Sequence, residues 1–177
     1  MVKATAAHTL LAFLILLTGC QGSVSGLYRD GFPGTASWSI LPFINYSQAE
    51  GVGAQVERML FVLLPSVGVD NPVLYPDSVA SGSTEKLAKP GSLKRAKNWA
   101  DVQGVGFAIG GEIQDWFIDR DGRPQVALTL YVTDARTGQG LWSVSGASEG
   151  MAGENIHKVC QNLIVDLLES MPVNRRQ

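Results

Sequence analysis

Between Pro124 and Thr133 the chain alternates with a period of two: Val126, Leu128, Leu130 and Val132 fall on one face, Ala127, Thr129, Tyr131 and Thr133 on the other. A strand patterned this way buries one side and leaves the other open. Asp121-Gly122 ahead of it and Asp134 to Gly138 behind it are turn compositions, which make Phe107 to Phe117 and Gln139 to Ser148 its antiparallel neighbours. The resulting meander has an apolar face that the rest of the chain must cover.

Helical spacing supplies the cover. Val52, Val56, Met59, Leu60, Leu63 and Leu64 predict a helix from about Val52 to Leu64, stopped by Pro65 and Gly68. Ser92 caps a second helix that runs to about Gln103, with Leu93, Ala96, Trp99 and Ala100 on one side. A third, from about Gly153 to Glu169, sets Ile156, Val159, Cys160, Leu163 and Leu167 on one stripe, with His157 off it and toward water. Trp38 to Phe43 reads as a short buried strand, Asn45 to Gly51 as a loop, Val73-Leu74-Tyr75 as another strand, and Pro76 to Gly91 as a long polar loop. The order βαβαβββα is an α+β fold, a mostly antiparallel sheet with helices packed on it.

Composition narrows the chemistry. The chain has 14 basic and 16 acidic residues, a formal net charge of −2. Its densest basic run, Lys86, Lys89, Lys94, Arg95 and Lys97, is spread over a loop and a helix with few aromatics between, so it reads as a solvated face and not as a nucleic-acid site. A catalytic constellation is not expected. His157 is the one candidate base, no Gly-x-Ser-x-Gly elbow surrounds a serine, and Gly104, Gly106, Gly110 and Gly111 lack the spacing of a phosphate loop. No metal site and no cofactor are expected either, since Cys160 sits where a small core hydrophobe belongs and His8 lies in the leader.

That leader resembles a bacterial lipoprotein signal. Lys3 supplies the positive start, Leu10 to Leu17 the apolar stretch, and Leu17-Thr18-Gly19-Cys20 the lipobox. The stretch is short of the roughly 20 apolar residues that span a bilayer. The resemblance implies cleavage before Cys20, a diacylglycerol on its sulfur and an acyl chain on its new amino group. Gln21, not Asp, follows, which by general lipoprotein sorting implies the outer membrane. The expected organisation is a signal over 1–19, a lipidated cysteine with a flexible Gly-rich tether over 20–34, one α+β domain over 35–170, and a polar tail over 171–177.

Three segments resemble the domain family shared by curli-secretion lipoproteins and the N-terminal domain of TolB. They are Ile40 to Asn45, Ala108 to Ile113, and Asp134 to Ser143. Within that family the chain is most similar to the outer-membrane lipoproteins of Pel exopolysaccharide export, on the Trp-x-Ile-Leu-Pro opening and the run from Leu141 to Gly146. The resemblance implies a dodecameric homo-oligomeric ring on the periplasmic leaflet, docked under the porin PelB, with an acidic lumen that guides a cationic exopolysaccharide. Asp115, Asp119 and Asp121 are the candidates for that lumen, or else a solvated turn. Trp142 is the candidate contact with membrane or porin, or else a core tryptophan. An alternative function is a periplasmic adaptor that activates a peptidoglycan synthase, although the tether is short for it. A lipid-anchored hydrolase built on His157 ranks below both.

Overall fold

The computed structural model describes residues 23–24, 26–76 and 90–174. Cys20, the signal ahead of it and most of the loop expected over Pro76 to Gly91 lie outside the described residues. The elements run β1 (Ser23–Val24), β2 (Phe32–Pro33), β3 (Trp38–Ile40), β4 (Ile44–Asn45), α1 (Val52–Leu63), β5 (Val73–Leu74), α2 (Pro90–Val102), β6 (Phe107–Ile118), β7 (Pro124–Asp134), β8 (Gly140–Glu149), α3 (Ile156–Glu169) and β9 (Val173–Asn174).

The main sheet has seven strands in the order β1-β8-β7-β6-β3-β5, with β4 also on β6. Its larger part is the antiparallel meander β6-β7-β8, in which Leu128 faces Ile113 and Gly146, and Tyr131 faces Gly110 and Ser143. The other side is parallel: β3 and β4 both run along the free edge of β6, and β5 adds to β3. The sheet is therefore mixed within the expected α+β fold.

One face carries the main core. Val126, Leu128, Leu130 and Val132 of β7 meet Val56 and Leu60 of α1 and Val159, Cys160, Leu163 and Ile164 of α3. Cys160 is fully buried, and burial pushes its thiol up to about 12. On the other face α2 sets Ala96 and Ala100 against Leu41, Ala108 and Ala135, at the end where β6 begins. Glycines permit the tight contacts between layers. A Cβ on Gly111 would collide with the Thr129 carbonyl and the Phe43 ring, so the strand tolerates only hydrogen there.

Two expected boundaries are corrected. Phe32 is 0 % exposed and stacks on Tyr28 at 4.9 Å between ring centroids. It also meets Trp38 edge-on at 5.8 Å. Residues assigned to a tether thus belong to the domain, because their aromatics find a core that their glycine-rich composition hides. The tail is corrected likewise: Met171 is buried and β9 pairs in parallel with β2 through Phe32 and Val173.

Candidate functional site: an acidic sheet face and its hairpin tip

The strands β6, β7 and β8 contain Glu112, Asp115, Asp134 and Glu149 and no lysine or arginine. Among the described residues, α2 packs only on the end of the outer face near Ala108, so the face from Gly110 onward has no helix over it. Alternation along β7 fixes what this face displays: Gln125, Ala127, Thr129 and Tyr131, each partly exposed. Thr129 Oγ1 accepts from Gln114 Nε2 at 2.8 Å and lies 2.8 Å from Ser145 Oγ, a polar ladder across all three strands. Tyr131 lies over Gly110, where a Cβ would come within 3.1 Å of its ring. Its phenol is pushed up to about 12, chiefly by burial and then by the charges of Glu112 and Tyr46, so it is a neutral donor at neutral pH.

The lumen candidates do not form one cluster. A register shift between Ile113 and Asp115 inserts an extra residue into β6, which turns Trp116 into the core and leaves Asp115 exposed on the outer face opposite Ala127. Asp119 and Asp121 lie beyond the strand, in the turn to β7. Asp119 braces that turn: its Oδ1 accepts from the backbone N–H groups of Asp121 and Arg123, both at 2.9 Å. Asp121 is exposed at the tip. Beside it Arg123 Nη1 meets Glu149 Oε1 at 2.9 Å, and Glu149 Oε2 accepts from Gln125 Nε2 at 2.7 Å. The Gln125 hydrogen bond first, then the Arg123 one, hold the Glu149 carboxyl below its usual range. Both partners are about half exposed, so the pair contributes little to stability.

Trp142 is 2 % exposed and belongs to the main core beside Val132 and Val144, because its register opposite Val132 points it inward. The expected contact with membrane or porin is corrected to a core position. His157 is exposed at the start of α3, where Asn155 Oδ1 caps its N–H at 2.8 Å, and its ring lies 5.5 Å from that of Trp116. It borders a groove of about 470 Å3 between α1 and α3, lined with Arg58, Met59, Val62 and Gln161. No helix among the described residues is long and apolar enough to cross a membrane.

Sequence reasoning missed Tyr131, Glu112 and Tyr46 as a group. The alternation of β7 places Tyr131 outward, but only the parallel pairing of Ile44 with Glu112 brings Tyr46 to the same region.

No protein-family model matches the sequence, and no curated protein matches it. The architecture, three helices among the described residues on a mixed sheet whose long strands form an antiparallel meander, is an α+β fold also found in a solved bacterial lipoprotein. The chain is similar to PelC from Paraburkholderia phytofirmans, solved as a dodecamer in space groups C2 and P6, with TM-scores of 0.71 and 0.70. Identity is 18 %, over 88 % of this chain and 99 % of PelC. Lipoprotein GNA1162 from Neisseria meningitidis is also similar, with a TM-score of 0.51 and 16 % identity over 76 % of this chain and 96 % of that one. The expected likeness to a Pel-export lipoprotein is met in the fold.

Proposed function

We propose that the chain is a non-enzymatic lipoprotein, acylated on Cys20 and held on the periplasmic face of the outer membrane, whose copies form a ring beneath a separate porin such as PelB. The ring guides a cationic exopolysaccharide of the Pel type during export. The observation that carries this reading is the shared fold over 88 % of the chain with a protein solved as a dodecamer. The charge pattern supports it. Three long strands with carboxylates and no cation make each subunit a source of negative potential. Repetition around a ring multiplies that field and concentrates cations in its mouth. Phe61 and Val62 on α1 and Val165 on α3 are exposed apolar side chains available to neighbouring copies.

Sedimentation velocity on the full-length lipoprotein in detergent tests the ring, and deletion of its gene tests export. The reading expects a ring-sized species and loss of secreted exopolysaccharide. A monomer at every concentration, with secretion intact after deletion, would refute it.

A further inference from the structure

Two opposite faces of the subunit carry unlike and complementary patches. On the helical side, Arg58, Met59 and Val62 follow one ridge of α1 and His157 the facing ridge of α3, with the groove of about 470 Å3 between them. Met59, Val62 and Leu63 give this groove an apolar wall, and no carboxylate lines it. Arg58 stands exposed at its side.

The outer face of the sheet has the reverse charge. Asp115 and Phe117 occupy alternate positions of β6, opposite Ala127 and Gln125, which the alternation of β7 turns outward. Asp115 is exposed, and the Phe117 ring beside it is 49 % exposed. Neither Arg58 nor Asp115 has an ion-pair partner among the described residues. Each face therefore offers an apolar surface next to one unneutralised charge, and the two charges are opposite.

The patches cannot meet within one copy, because α1 and α3 cover the inner side of the sheet whereas Asp115 and Phe117 lie on the outer side. Between copies they can, front against back. A contact between unlike patches is heterologous, and its repetition closes into a ring or runs on as a filament instead of stopping at a two-fold pair.

We propose that the α1–α3 groove of each copy receives the outer face of β6 from the next copy, an inference that rests on the ring reading above. Phe117 of one copy packs against Met59, Val62 and Leu63 of its neighbour, as an aromatic anchor does at the centre of a contact. Asp115 pairs with Arg58 and fixes the register. Asp115 is then a contact residue and not a lumen residue, which leaves Asp121 at the exposed tip.

The test makes Arg58→Asp and Asp115→Arg separately in the full-length lipoprotein and follows each by sedimentation velocity in one detergent. Both sites are exposed, so the melting temperature should stay close to that of wild type. Each variant alone sets like charges against each other at every contact and should raise the concentration at which the large species forms at least about tenfold. Mixed one to one, the two variants should recover that species, since alternating copies restore an opposite pair at every contact. A fold defect in either chain would not be repaired by mixing. A large species from either variant alone at the wild-type concentration, or a mixture no larger than its parts, overturns the contact and leaves the ring standing. A wild-type chain that stays monomeric at every concentration overturns the ring and the contact together, which separates the two failures.

Discussion

Glu57 Oε1 accepts the backbone N–H of Phe43 at 2.9 Å, across fourteen residues of sequence and inside the core. Glu57 is 5 % exposed on α1, so this contact ties the first helix to the turn between β3 and β4. Glu57→Ala should cost about 2 kcal/mol, because it strands a buried donor. Glu57→Gln keeps an acceptor and should fall between alanine and wild type. Urea midpoints at unchanged slope read both, and equal midpoints for Ala and wild type would refute the tie.

Gly111 is the strand position with least room. Alanine there must displace the Thr129 carbonyl or the Phe43 ring, both held by neighbouring strands, whereas at Gly110 it meets the Tyr131 ring and Leu41 Cβ at 3.1 and 3.2 Å. Gly111→Ala should therefore cost about 3 kcal/mol or more and Gly110→Ala less. A Gly111→Ala chain that melts at or above the Gly110→Ala temperature would contradict the packing.

Asp134 Oδ1 accepts from Thr137 N–H at 2.7 Å and from Arg136 N–H at 3.0 Å. The Thr137 bond chiefly holds its carboxyl below the usual aspartate range. A folded pKa below the unfolded one means the ionised form is preferred by the native state. The stabilisation is thus fully present above the ordinary aspartate value and is lost as pH falls through the lower, folded one. Asp134→Asn retains an acceptor but cannot titrate, so its stability should fall less than wild type between neutral pH and about pH 3. Parallel curves of denaturation midpoint against pH would exclude the effect.

Val62 is 72 % exposed on α1 beside Phe61 at 40 %. Charge on such an apolar patch breaks association without touching the fold. Val62→Asp should leave stability within about 0.5 kcal/mol and reduce the proposed ring to smaller species in sedimentation velocity. A ring of full size at unchanged concentration would remove α1 from the subunit contact.

The long elements were legible because each carries its own period. The meander appears within a residue or two of its expected limits, as does α1; α2 already begins at Pro90, so Ser92, expected as its cap, lies within its first turn, and α3 begins at Ile156 because Asn155, not a residue near Gly153, supplies the cap. What stayed hidden is set by partners distant in sequence. β1, β2, β4 and β9 are two residues each, too short to show a period, and exist only because β8, β9, β6 and β2 pair with them. Phe32 looked like a linker residue since its neighbours Gly31, Pro33 and Gly34 are linker residues, yet its ring is central to the aromatic cluster with Trp38 and Phe107. The same limit applied to the site. The bulge that turns Asp115 outward and Trp116 inward adds one residue to an otherwise regular strand, and composition does not mark it.

The pairing of Ser23 and Val24 with β8 also has a mechanical side. A tug on the chain ahead of Ser23 would reach the domain through two residue pairs and then the Tyr28 ring before it reaches Phe32 in the core. Peeling that strand would release residues 23–27, ahead of the packed Tyr28 ring, and lengthen that segment by at most roughly 17 Å. Under the proposed anchoring, the protein would have two standing heights, docked or let out. Force spectroscopy on an anchored chain should show this short extension well before the main unfolding event, and a single rupture with no early step would mean that β1 holds as firmly as the core.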